Sequence, residues 1–241
     1  MNLRKKTEQK IVWILSILLL FIVCQSGLSK AEEGEFPLDK AKIDVSDLPS
    51  LQRGARLFMN YCSGCHSLKY MRYSTLAEGI GIVDSSNHIL EKIVKQDLMF
   101  SGDKITDTIK SALSKEEGAA WFGTAPPDLS LVGRSRGKDW LYTYLRTFYL
   151  DSKRPWGVNN KVFPEVAMPD VLFNLRTHLL AEKDGQEKYD GAILDLVNFL
   201  MYVAEPVKQE RERIGIWVLL FLGIFFIFAC LLKREYWKDI H

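Results

Sequence analysis

Six consecutive residues, Tyr61-Cys62-Ser63-Gly64-Cys65-His66, hold most of the chemistry this chain can offer. They form a C-x-x-C-H pattern, the spacing of c-type haem attachment. Two thiols three positions apart can each add to a vinyl group of haem. The adjacent histidine can then supply the proximal imidazole to the iron. Small Gly64 would let a porphyrin approach the backbone closely. The other two cysteines, Cys24 and Cys230, lie in apolar segments near the chain ends, so the pair stands alone in the polar part of the sequence. Other chemistries fit less well. A thioredoxin-like dithiol needs a βαβ context, and the pattern here is helical. Zinc needs a further cysteine or a histidine pair at knuckle spacing, and a plain disulfide leaves His66 unexplained. One covalently attached haem c is the expectation.

Iron held by His66 allows a sixth ligand. Candidates are Met59, Met71, Met99, Met168 and Met201, with His88 and His178. Met59 and Met71 are too near His66 in sequence to reach the opposite haem face easily, and Met201 sits in an apolar helical stretch. Met168 stands in Val162-Phe163-Pro164-Glu165-Val166-Ala167-Met168-Pro169, an apolar loop braced by two prolines that can hold a thioether without regular structure. Met168 is therefore the expected ligand, with a core methionine as the alternative. His/Met ligation would raise the reduction potential, and bis-histidine ligation would lower it.

The elements that must position these groups are mainly helical. Residues 49–66 start at Pro49-Ser50 and carry Leu51, Gly54, Ala55, Phe58 and Tyr61 at helical spacing, leading into the cysteine motif. Residues 190–204 form a second amphipathic helix, which small Gly54 and Ala55 would allow to cross the first closely. Pro206 ends that helix, and charged residues 207–213 read as a link. Residues 139–149 look helical, and 67–125 reads as loops with one or two short helices. The expected fold is mainly α: a cytochrome c-like monohaem domain with long loops, plus one C-terminal transmembrane helix.

The chain ends set the compartment. Residues 1–31 have a basic start, an apolar run of 13 residues and small residues before a cleavage point, the pattern of a signal peptide. Residues 214–232 are 19 without a charge, about 28 Å of helix, which matches a bilayer core. Basic residues flank both ends, with Trp217, Tyr236 and Trp237 at the boundaries. An exported domain, 32–213, and a cytoplasmic tail, 233–241, follow from the positive-inside rule. Residues 32–213 hold 24 of the 32 Lys and Arg and 27 of the 30 Asp and Glu, a formal charge of −3. The basic excess of the whole chain thus lies outside the domain, and nucleic-acid binding has no support. Mild acidity suits a basic soluble partner, and ordinary solubility explains it equally well.

Four blocks, in order, carry a family resemblance: Cys62-Ser63-Gly64-Cys65-His66-Ser67 with Tyr70; Ala125-Pro126-Pro127-Asp128-Leu129-Ser130 with Arg134-Ser135-Arg136; the loop 163–169 around Met168; and Glu205-Pro206 leading to the terminal apolar segment. Together they resemble the cytochrome c1 family, the haem subunit of the cytochrome bc1 complex (ubiquinol–cytochrome c reductase), in its proteobacterial form. The resemblance implies Met168 as sixth ligand, Arg136 as partner of a haem propionate, with Arg134 as a surface residue, and Pro126 and Pro127 lining the haem crevice. It also implies cytochrome b and Rieske iron–sulfur partners, a c-type cytochrome acceptor and a bacterial inner membrane with the haem domain in the periplasm. Electron transfer, with no bond chemistry of the subunit's own, is the implied role. Two rivals share the haem motif: a stand-alone anchored shuttle, and a haem enzyme or gas sensor with an open sixth site.

Overall fold

A computed structural model describes residues 36–238 of the 241. The expected signal (1–31) and the last residues of the tail (239–241) lie outside the described residues. Helices dominate, in the order α1 (Leu48–Tyr61), β1 (Leu68–Arg72), α2 (Tyr73–Gly79), α3 (Glu91–Ile93) running into a π turn (Val94–Leu98), β2 (Thr108–Ile109), α4 (Lys115–Phe122), α5 (Val132–Arg136), α6 (Lys138–Arg146), β3 (Phe148–Leu150), β4 (Val158–Asn160), α7 (Phe173–Leu180), α8 (Gly185–Ala204) and α9 (Lys208–Tyr236).

Helix α1 begins where Asp47 accepts the N–H of Ser50 at 3.1 Å, and Pro49 fits the first turn because its missing N–H would have no helical partner. Its apolar face, Leu51, Ala55, Phe58 and Met59, is buried, largely against α8. At Gly54 the two helices nearly touch: a Cβ there would lie 2.1 Å from the carbonyl oxygen of Asp195 and 2.7 Å from Phe199 Cβ. The expected close crossing is therefore present, and Gly54 makes it. Beside it Arg53 and Asp195 form a bidentate pair at 2.6 and 2.9 Å, and Phe58 and Phe199 pack with centroids 5.6 Å apart. Gly133 of α5 meets α8 similarly, with an added Cβ 2.9 Å from the Leu200 carbonyl. The core is thus laid around α8, with α1, α5, α6 and α7 packed against it.

Several boundaries differ from the sequence expectation. The first helix ends at Tyr61, and residues 62–66 form a tight turn instead of its last turn. The helix expected over 139–149 runs Lys138–Arg146, and Phe148–Leu150 pairs antiparallel with Val158–Asn160. Segment 67–125 contains short helices and also an irregular antiparallel ribbon, Leu68↔Ile109 and Arg72↔Thr108. The charged stretch 208–213 is helical and continuous with the apolar run, making α9 29 residues long. Alternating charges at helical spacing, including the Glu210–Arg213 pair, support helix as well as they support a link. Among the described residues α9 is long and apolar enough to cross a membrane, and none of its apolar stretch is buried by the protein.

Candidate haem site

The cysteine motif is a turn built on the end of α1. The N–H groups of Cys62 and Ser63 both reach the Phe58 carbonyl, at 2.8 and 3.0 Å, and those of Cys65 and His66 return to the Cys62 carbonyl at 3.0 and 2.8 Å. Serine 111 fastens it from the other side, its hydroxyl donating to the Gly64 carbonyl at 2.6 Å and its N–H to Ser67 Oγ at 2.9 Å. A Cβ added at Gly64 would meet nothing within 4 Å, so no protein neighbour requires glycine there.

The Pro126–Ser130 block lies alongside β1. Asp128 accepts the N–H groups of Lys69 and Ser130 at 3.0 Å each, Ser130 Oγ accepts that of Tyr70 at 3.1 Å, and Leu129 donates to the Ser67 carbonyl at 2.9 Å. This strapping presents the Pro127 carbonyl to His66, whose Nδ1 lies 2.8 Å away. A carbonyl only accepts, so Nδ1 carries the proton and Nε2 keeps its lone pair for a metal. Burial holds the His66 imidazole below its usual pKa, outweighing the Pro127 carbonyl and Asp128.

Two cavities, one smaller and one larger, are both lined by Cys62, His66 and Met168. Cys65, Phe122, Pro126 and Pro169 line the smaller. Pro127, Arg136, Trp140, Tyr144 and Phe163 line the larger, with Leu196 and Leu200 of α8. All seven residues singled out from sequence (Cys62, Cys65, His66, Pro126, Pro127, Arg136 and Met168) thus meet around one apolar region. Arg134 lines neither cavity, nor do Met59, Met71, Met99, Met201, His88 or His178. Met59 and Met71 are core residues, and His88 and His178 sit exposed beside Asp84 and Glu182. The Arg136 guanidinium stacks over Trp140 at 4.9 Å and Phe163 at 5.9 Å; among the described residues no carboxylate pairs with it.

Tyr144 is the residue the sequence reading missed. Its hydroxyl donates to Met168 Sδ at 3.3 Å, and its ring stacks on Trp140 at 4.8 Å. Helical spacing puts Trp140 and Tyr144 on one face of α6, which was the available signal, but nothing in sequence linked that face to position 168.

The donor set can be tested against the rival chemistries. Burial pushes the Cys62 thiol up to about 12, with the neighbouring Cys65 adding to it, and burial raises Cys65 as well. A redox dithiol or a thiolate metal site works through lowered thiol pKa values, so these cysteines are badly placed for either. Among the described residues no three His, Cys, Asp or Glu gather as a metal cluster. Two neutral thiols and a free imidazole nitrogen, with a thioether on the same apolar cavities and an arginine at the rim, do fit a covalently attached haem. Haem protein is the class to which this helical fold and its donors correspond.

Comparison with known proteins agrees. The model of the cytochrome c1 family matches residues 40–240, and the chain belongs to that family. It is similar to cytochrome c1 of Allochromatium vinosum, 45% identical over 93% of this chain and 98% of the relative. A protein of Nitrosomonas europaea named ammonia monooxygenase gamma subunit is 41% identical over 95% of this chain and 99% of its own length. The mitochondrial cytochrome c1 haem protein of Neurospora crassa is 28% identical over 88% of this chain and 70% of its own. Family membership implies a haem cofactor and a role in carrying electrons.

Proposed function

We propose that this chain is the haem-bearing electron-transfer subunit of a bacterial cytochrome bc1 complex, accepting electrons from a Rieske iron–sulfur protein and passing them to a c-type cytochrome. One haem c would be held covalently by Cys62 and Cys65, with the His66 imidazole and the Met168 thioether available to its iron. Haem supplies reversible one-electron iron chemistry; the residues around it hold, shield and tune it. Pro127 fixes the His66 tautomer, Pro126 and Pro127 wall the crevice, and Arg136, free of carboxylate partners among the described residues, is available to a propionate. Leu196, Leu200 and Phe163 give the larger cavity apolar walls. Cytochrome b is the membrane partner. Residues 1–31 are a signal peptide, 32–213 a periplasmic domain, 214–232 a single span of the inner membrane and 233–241 a cytoplasmic tail.

The observation that carries this reading is that His66 and Met168, 102 positions apart in the chain, line the same two cavities with Cys62. The test is purification through a tag on this chain from native membranes in mild detergent. The expected eluate contains covalently bound haem, b-type haem and a Rieske signal, and reduces added cytochrome c with quinol. Covalent haem eluting alone in repeated gentle preparations would instead make the chain an anchored shuttle. Covalent haem missing from the chain would remove the site assignment itself.

A further inference from the structure

The segment between β4 and α7 carries Met168, yet it has neither helix nor ladder of its own. Side chains hold it. Asn160, only 1% exposed, donates Nδ2 to the Tyr144 carbonyl at 2.7 Å, and its Oδ1 accepts the N–H groups of Val162 and Phe163 at 2.9 and 3.2 Å. Asn159 works beside it. Its Oδ1 accepts from the N–H groups of Asn160 and Glu165, both at 2.9 Å, and its Nδ2 donates to Asp151 at 3.0 Å. Arg154, in the turn between β3 and β4, donates to the Glu165 carbonyl at 2.6 Å. Glu165 has φ of +61°, a left-handed conformation that a residue with a Cβ keeps only when its surroundings impose it.

We propose that Asn160 is the positioning residue for the sixth ligand. It joins the helix that carries Tyr144 to the loop that carries Met168, and so holds the thioether sulfur where the tyrosine hydroxyl meets it. The inference rests on Met168 being the axial ligand, as proposed above. An asparagine amide suits the task because donor and acceptor share one rigid plane, and here both are used in a buried place. Alanine would leave one backbone carbonyl and two N–H groups without these partners, and such groups seek water by opening the loop. An open loop presents the sulfur only part of the time. A competing ligand then binds in proportion to the fraction of molecules in which the sulfur is away.

The experiment uses the full-length, haem-loaded ferric protein in detergent and titrates it with imidazole, following loss of the far-red sulfur-to-iron charge-transfer absorption. Thermal unfolding is recorded in parallel. Wild type is expected to bind imidazole weakly and Met168→Leu tightly. Asn160→Ala should bind at least about tenfold more tightly than wild type, and Asn159→Ala should shift several-fold the same way. Ile80→Val, a trimmed core residue outside this loop, should lower the unfolding temperature and leave imidazole affinity unchanged. Two results overturn the inference: Asn160→Ala titrating like wild type, or Ile80→Val shifting affinity as far as Asn160→Ala does. If Asn160→Ala does not accumulate, Asn159→Ala decides by the same criteria. Wild type binding imidazole as tightly as Met168→Leu would show that the thioether is no ligand, and the axial assignment would fall together with the inference.

Discussion

Substituting Gly54 by alanine should destabilise the protein, although the same change at an open helical position does the reverse. Alanine in place of a helical glycine is worth about 1 kcal/mol in propensity. At Gly54 the new methyl group would stand 2.1 Å from the Asp195 carbonyl oxygen and 2.7 Å from Phe199 Cβ. Both obstacles belong to the frame of α8 and cannot rotate aside. The helices must part by roughly 1 Å before the methyl group reaches even 3.0 Å, the limit real Cβ atoms respect. A gap of that size forfeits a quarter to a half of each dispersion contact across the seam, including Phe58 on Phe199. Overpacking typically costs about 1–3 kcal/mol, with more where backbone must move, so a net loss of about 2 kcal/mol is expected. For a chain of this size that lowers the melting temperature by about 4–8 °C. Gly191, on α8 with nothing within 4 Å of an added Cβ, is the matched control, and Gly191→Ala should melt slightly higher than wild type. Thermal unfolding of the two haem-loaded variants, followed by far-ultraviolet circular dichroism, reads both signs. Gly54→Ala melting at or above wild type would refute the close-crossing argument.

Other outcomes can be checked on the same material. Tyr144→Phe removes the hydroxyl 3.3 Å from Met168 Sδ; with Met168 as the proposed ligand, a thioether freed of that bond would donate more strongly and favour ferric iron, so the potential should fall by about 20–40 mV in a redox titration. Arg176→Ala leaves the Asp170 carboxylate, 5% exposed and bonded to Arg176 at 2.6 Å, buried without its cation, and should cost about 3 kcal/mol in denaturant unfolding. Burial raises the Asp139 carboxyl, but the Ala41 N–H and the Lys40 ammonium, each at 2.9 Å, outweigh it and hold it below the usual aspartate value. Its stabilising effect is therefore complete above the unfolded pKa of about 3.9 and lost as pH falls through the lower folded value. Asp139→Asn should be about 1 kcal/mol less stable than wild type at neutral pH, with the gap closing in acid.

What could be read in the sequence follows physical range. The cysteine motif declares itself because its chemistry is local, and α8 because apolar residues at helical spacing need only one face to pack on. The prolines on either side of Met168 drew attention to a residue that lines the same cavities as His66. Residues 208–213 were misread because a charged run satisfies either a solvated helix or a link, and the difference is made by the apolar helix that follows and carries the first turns along with it. The ribbon between β1 and β2 was invisible, since Thr108–Ile109 has too few residues to show any alternation. Asn159 and Asn160 drew no reading from the sequence; that they fasten a loop to the end of α6 depends on partners brought near only by the fold. Tyr144 belongs with them, because a hydroxyl finds its sulfur across 24 positions of sequence.

Only Glu205, Pro206 and Val207 separate α8, the axis of the core, from α9. Glu205 is itself tied to both helices: its N–H bonds to the Tyr202 carbonyl, its carbonyl accepts the N–H of Lys208, and its carboxylate pairs with Arg211. Fully drawn out, three residues reach about 10 Å. With α9 in a bilayer, the domain has no leash on which to travel and stands on the membrane like a mooring post. On the proposed function, electrons must then be brought to it and taken from it by carriers that move. Lengthening this joint with a flexible insert would give the domain a roaming volume it now lacks, and would let it compete with its own carriers for the same journey.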